Sequence, residues 1–258
     1  MWAIIAILIL GLGAVGYGFY DGYKTKNFAA QSEKIFNESQ GKWKVSELTN
    51  PPVEVQGDSA KLKDYYTKIK DDCDSATSKI ESLAGTRKTK TAKTDLDRYY
   101  SLGKQASENA LILVDYMAAM EKISKNMSPT INASGFGQLT TQLNQFKATV
   151  DDNLKTLQAL KTTPSIEETN KQIILAMTEL SNFLDQVLTQ LKNNNPKEVE
   201  RLMNEFSTKM EKTTNIKTPD PEEIKKDILT KSEEEEMTGL ALKIQEGIKD
   251  LKKVIFAF

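Results

Sequence analysis

Apolar residues recur along most of this chain at alternating spacings of three and four, the mark of one buried stripe per helix. Leu62, Tyr66, Ile69, Cys73, Ala76, Ile80 and Leu83 form the first such seam, and Gly85 stops it as a C′ glycine does. Leu96, Tyr99, Gly103, Ala106, Ala110, Leu113, Met117 and Met120 repeat the rhythm and predict a long helix over residues 90–126. Its small members Gly103, Ala106 and Ala110 admit close approach by a neighbour. Pro129, Gly135 and Gly137 mark a break at 128–137. Beyond it Leu139, Leu143, Phe146, Val150, Leu154, Leu157 and Leu160 define a third helix, closed by Pro164. Ser165-Ile-Glu-Glu168 reads as a capping box opening the next one, whose stripe is Ile173, Met177, Leu180, Leu184, Val187 and Leu191. Asn195 as N-cap and Pro196 at N1 start a shorter helix carrying Val199, Leu202, Met203, Phe206 and Met210. Asp220-Pro221-Glu222-Glu223 opens a final helix predicted to run almost to Phe258. Its stripe is Met237, Leu240, Ile244, Ile248, Leu251 and Ile255, and lysines 249, 252 and 253 complement its negative pole.

The amino-terminal stretch follows a different pattern. No charge occurs from Trp2 to Tyr20, and about 19 residues at ~1.5 Å rise come close to a ~30 Å hydrocarbon core. With Trp2 at one end and Phe19, Tyr20 and Tyr23 at the other as interfacial aromatics, residues 2–20 are predicted to be a single transmembrane helix. A cleaved signal peptide is a rival, with Ala3–Leu12 as its apolar core, but its cationic n-region is missing. Gly11, Gly13 and Gly16 match G-x-G-x-x-G, yet the segment that should supply the second Rossmann strand, 28–36, has helical spacing. Ala14, Gly18 and Gly22 make an i, i+4, i+8 ridge suited to helix association within a membrane. Lys24, Lys26 and Lys34 follow the segment and nothing basic precedes it, which tilts the main domain to the cytoplasmic side. A Thr-, Asn- and Gln-rich body with sequons at Asn37, Asn126 and Asn132 keeps the extracytoplasmic side open.

No segment of useful length alternates with period two. The fold class expected is therefore all-α: an N-terminal single transmembrane helix followed by an elongated antiparallel multi-helix bundle with coiled-coil-like seams. Residues 1–26 would be the anchor and 27–58 a short helix (27–38) and a linker broken by Asn50-Pro51-Pro52 and Gly57. The bundle would take 59–258, with a sub-boundary at 128–137.

Composition narrows the chemistry. The 258 residues contain His 0 and Cys 1, which removes His-dependent triads, His-ligated metal sites and any intrachain disulfide. A net charge of -1 gives no overall field for nucleic acid. Cys73 stands among Asp71, Asp72 and Asp74, which oppose a thiolate, and that acidic cluster lacks the glycine turn and distal Glu of a calcium loop. No metal site, catalytic residue or cofactor is assigned. Two charge runs are candidate interaction patches: Arg87, Lys88, Lys90 and Lys93, and Glu233, Glu234, Glu235 and Glu236. The pairs Tyr65-Tyr66 and Tyr99-Tyr100 read as core filling, and Phe256-Ala257-Phe258 as an apolar end packed on the bundle.

The function expected is a membrane-anchored, non-enzymatic helical scaffold or protein-interaction module. Its partners would be the lipid bilayer, other proteins and a second copy of itself, with no nucleic acid. A ligand-binding or sensor bundle, with a pocket near the tyrosine pairs and Gly103, is the alternative. An enzyme with a buried carboxylate site stands third.

Overall fold

Helix signals in the chain resolve into α1 (Trp2–Gln40), α2 (Val45–Thr49), α3 (Ser59–Ser82), α4 (Lys90–Asn126), α5 (Phe136–Ala159), α6 (Pro164–Lys192), α7 (Pro196–Thr213), α8 (Pro221–Ile228) and α9 (Lys231–Lys253), with a 3-10 turn at Arg87–Thr89. This computed structural model describes residues 2–127, 135–213, 216 and 218–254, and their side chains except at 2–19, 136 and 210–213. Among the described residues the chain is all-helical and its packing is that of a bundle. Asp58 caps α3 by accepting from the amides of Ala60 and Lys61 at 3.0 and 3.1 Å. Asn195 Oδ1 accepts from the Glu198 amide at 3.4 Å ahead of Pro196, the predicted start of α7.

Contacts divide the chain into two compact units, 1–110 with 228–258, and 111–227; α4 belongs to both. In the first unit the described part of α1 buries Thr25, Phe28, Ala29, Ser32, Ile35, Phe36 and Ser39. That is a seven-residue repeat whose a position is a small hydroxyl, which lets neighbours approach closely. The predicted α3 seam is buried from Leu62 to Ile80, and α9 buries Met237, Leu240, Ile244, Ile248 and Leu251. α1 runs parallel to α4, with Thr25 bonded to Thr86 at 2.8 Å and Tyr100 to Ser39 at 3.2 Å. The segment 41–58 is no loose linker: Trp43 and Leu48 within it are fully buried. Burying Leu48 alone contributes about 1.5–3 kcal/mol.

In the second unit α5 and α6 form an antiparallel hairpin around Val150, Leu157, Met177 and Leu184, joined by Ile123 of α4. Between these helices Ser181 donates to Asp151 at 2.5 Å, and Lys147 reaches both Asp151 (2.7 Å) and Asp185 (3.3 Å). α7 lies antiparallel on α6, with Phe183 stacked on Phe206 at 4.1 Å between centroids.

Several expectations are corrected. Among the described residues no helix is long and apolar enough to cross a membrane, so the single-pass anchor and the membrane localisation built on it are not supported. Residues 2–20 are not a separate element: they open a 39-residue helix whose later part, with Lys24, Lys26, Glu33 and Lys34 on its outer face, is built into the first unit. The side chains of Trp2, Ala14, Gly18 and Phe19 lie outside the described residues; Gly22, the last member of the proposed ridge, is buried. The predicted final helix is two helices. Thr230-Lys-Ser-Glu233 is a capping box that restarts the chain after α8, with Thr230 Oγ1 accepting from the Glu233 amide at 3.3 Å. Ser165 caps nothing: Pro164 sits at the start of α6, and the Asp227 carboxylate supplies the acceptor for the Ser165 amide at 2.9 Å. Met117 is exposed, because past Leu113 the inward face of α4 passes to Tyr116 and Ile123. Residues 128–134 of the predicted break, Ile255 of the predicted stripe and Phe256-Ala257-Phe258 lie outside the described residues, as does the side chain of Met210.

Candidate functional site

The densest arrangement of polar and aromatic groups lies where the end of α1 meets α3 and α4. The chain leaves α1 at Gln40, and Gly41 and Lys42 bond back to carbonyls of the last turn at 3.0 and 2.9 Å, which swings Trp43 inward. Its ring stacks on Tyr99 at 5.6 Å; Phe36 and Tyr100 meet Tyr99 edge-on, each at 5.4 Å. Gly103 of α4 is what admits the indole. A Cβ there would stand 3.0 Å from Cys73 Sγ and 3.1 Å from Trp43 Cη2, tighter than ordinary packing. The space beside Gly103, where a small-molecule pocket was expected, holds the Trp43 ring.

Asp72 is the polar hub. Trp43 Nε1 donates to Oδ2 at 3.1 Å, Lys42 Nζ donates to Oδ1, and Tyr100 donates to Ser39, which in turn donates to Asp72. Burial pushes this carboxyl up, but the hydrogen bonds from Lys42, Ser39 and Trp43 outweigh it and hold it below its ordinary value. Burial first, then the charges of Asp72 and Asp74, push the Cys73 thiol up, so it stays protonated and serves as packing. The three aspartates do not converge on one point. Asp71 lies 3.9 Å from Lys70, Asp72 holds Lys42, and Asp74 takes Lys104 at 2.6 Å and Lys70 at 3.4 Å.

Outside this core a groove of about 520 Å³ runs along α3, floored by Tyr65, Ile69 and the edge of Trp43 and rimmed by Lys42, Lys68, Asp71 and Asp72. Tyr65 donates to Glu47 of α2 at 3.4 Å, and Tyr66 to the Leu48 carbonyl at 2.9 Å, so α2 fixes one wall. Burial, then Glu47, raises the Tyr65 phenol; burial takes Tyr66 to about 12. The second unit carries a smaller cleft of about 300 Å³ between α6 and α7, floored by Phe183, Leu202 and Phe206. There Glu179 binds Lys209 at 2.9 Å, while its other oxygen is buried without a partner among the described residues.

The predicted patches are spread out. Arg87 and Lys88 stand in the 3-10 turn and Lys90 and Lys93 in the first turn of α4, where Lys93 donates to the Glu81 carbonyl at 3.3 Å. Glu233 is consumed by the cap at Thr230 and Glu235 lies 3.9 Å from Lys231. Glu236 takes a two-pronged bond from Arg98 at 2.8 and 2.9 Å, and Glu234 completes the first turn of α9. Tyr20 and Tyr23 are exposed, with Lys24 Nζ 4.3 Å above the Tyr20 ring. Sequence reasoning missed Trp43, Leu48 and the role of Asp72. The available signal was a lone tryptophan between Lys42 and Lys44 in an otherwise polar stretch. Compared with family models, with curated proteins and with solved structures, the chain matches none.

Proposed function

We propose that the chain is a non-catalytic interaction scaffold that offers rigid helix faces to protein partners, with the groove along α3 as its principal docking face. The observation that carries this reading is the groove's anatomy. An aromatic and aliphatic floor inside a charged rim is how protein interfaces are built, and the Trp43, Tyr99 and Asp72 network beneath makes that floor rigid. A preorganised face loses little conformational entropy on binding.

The test is site-specific photocrosslinking in extracts of the native cell. A crosslinking side chain at Lys68 or Ser75 should give a discrete adduct that excess untagged protein competes away and that Tyr65→Asp abolishes. The same group at Lys155 in the second unit is the control. Adducts that are equal at all three positions, or absent from the groove, sink the reading. The ligand-binding alternative draws on the same groove, whose volume lies within the ~300–1,000 Å³ of small-molecule sites. A thermal-shift screen that stabilises the wild type but not Tyr65→Asp would favour it.

A further inference from the structure

We infer that the end of the first unit where α1, the 3-10 turn and α9 meet is a docking surface for anionic phospholipid headgroups, bound peripherally through charge. This is independent of the groove along α3. The Thr25–Thr86 bond ties α1 to the residue ahead of the 3-10 turn. A Cβ on Gly247 would stand 3.9 Å from Ala92 Cβ, which sets the last turns of α9 beside the first turn of α4. Three elements thereby bring their cations to one end: Lys24 and Lys26 from α1, Arg87 and Lys90 from the turn and α4, Lys249 and Lys253 from α9. The carboxylates at this end include Glu33, held by Lys252, and Asp250, held by Lys253 at 2.9 Å. Asp21 and Glu246 also lie on these elements, and Glu81 lies at the end of α3, where its carbonyl accepts from Lys93. Lys26, Arg87 and Lys90 are exposed and take part in no salt bridge among the described residues.

Two further observations select the partner. The opposite end of α9 carries Glu233–Glu236, about 20–30 Å from Lys249 and Lys253 at 1.5 Å per residue. α9 is therefore charge-segregated along its length, which helps a negatively charged plane orient the unit with the basic end inward. Beside the cations Tyr20 and Tyr23 stand 56% and 71% exposed. Amphipathic rings of this kind favour the headgroup layer. Docking of this sort requires no helix to cross the bilayer.

Each cation near an anionic surface is worth about 1 kcal/mol, roughly fivefold in affinity. The experiment is sedimentation of the full chain with phosphatidylserine–phosphatidylcholine vesicles and with phosphatidylcholine vesicles, at low and high salt. Binding should need phosphatidylserine and weaken as salt rises. The triple variant Lys26→Gln, Arg87→Gln, Lys90→Gln should lose on the order of a hundredfold by the same arithmetic. Neutralising Lys161, Lys192 and Lys197 in the second unit should change nothing, and the charge-keeping set Lys26→Arg, Arg87→Lys, Lys90→Arg should bind like the wild type. Far-UV circular dichroism checks that each variant is folded. Equal binding to both vesicle types, an unmoved triple variant, loss in the charge-keeping set, or no sedimentation each overturns the proposal. Binding to polyglutamate without binding to vesicles overturns it in favour of an acidic protein partner.

Discussion

In the first unit Trp43, Tyr99, Tyr100, Phe28 and Phe36 are all buried to within 2% of completeness, and their polar atoms are bonded, the Tyr99 hydroxyl to Gln40, the Tyr100 hydroxyl to Ser39 and the Trp43 indole to Asp72. At the centre of the second unit lie Val150, Leu157, Met177 and Leu184, shapes that repack easily, and the polar ties of Ser181, Asp151, Lys147 and Asp185 run between α5 and α6 beside them. That unit buries Asn153 Nδ2, Asn170 Oδ1, Thr163 Oγ1 and Ser165 Oγ without partners among the described residues, against Ser32 Oγ and Asp97 Oδ1 in the first. Such groups cost about 1–3 kcal/mol each unless water reaches them. The difference teaches that heptad spacing alone makes a bundle, while planar rings wired by hydrogen bonds make one arrangement of that bundle much better than its neighbours. A docking groove belongs on the second kind of core.

The sharpest way to break this contrast is Trp43→Ala. It should cost about 3–5 kcal/mol, with amide exchange rising through α3, α9 and the first half of α4 and staying slow in α5 and α6. Loss of protection spread evenly over both units would show that they do not differ as described. Leu157→Ala is the counterpart in the second unit, at about 2–5 kcal/mol. Aliphatic neighbours that collapse into the cavity would place it at the low end, as a denaturant melt would show. Gly103→Ala adds one methyl group yet should destabilise by about 1–3 kcal/mol through overpacking against Trp43 and Cys73. Gly239→Ala, with nothing within 4 Å of the new atom, should be neutral or stabilising.

Asp72→Asn should cost about 1–3 kcal/mol at neutral pH by weakening the bonds from Lys42, Trp43 and Ser39. Because the folded carboxyl is held below its ordinary value of 3.8, its contribution is fully present above that value and fades as the pH falls through the lower folded one. Wild type and variant melts should therefore converge in acid, and a gap that persists there would remove Asp72 as the hub. Smallest of all, Arg98→Ala gives up an exposed two-pronged bond to Glu236 and should lower the melting temperature only slightly, by an amount that vanishes with added salt.

How far these features could be read from the chain follows from their physics. The α3 seam was fully legible because six inward residues in one helix make a periodic signal. The α4 seam was legible up to Leu113 and then slipped at Met117, since periodicity states a spacing and not which neighbours the helix will face. α2 is five residues long, too short to show any period, so Trp43 and Leu48 read as linker although they complete the core. Capping motifs were legible at Asn195 and Asp220 and misleading at two other places. Ser165-Ile-Glu-Glu168 was read as a box, but Asp227 from 62 residues away supplies the acceptor. Thr230-Lys-Ser-Glu233, which is a box, was hidden inside a run that scanned as one helix. The basic end was half legible: Arg87, Lys88, Lys90 and Lys93 are contiguous in sequence, but the lysines of α1 and α9 join them only through the fold.

The first unit is discontinuous in sequence, made of residues 1–110 and 228–258 with the second unit's 111–227 between them. On the ribosome the chain emerges from its amino terminus, so residues 111–227 can condense as soon as they are out. The first unit has to wait for α9. Until then the sides of α1, α2 and α4 that α9 will cover have no neighbour, and its Met237, Ile244 and Ile248 are still to be made. At roughly 5–20 residues per second that wait lasts about 7–30 seconds. α9 is thus the closing stave of the first unit, and a nascent chain stalled before Lys231 would be a substrate for chaperones even with its second unit already folded.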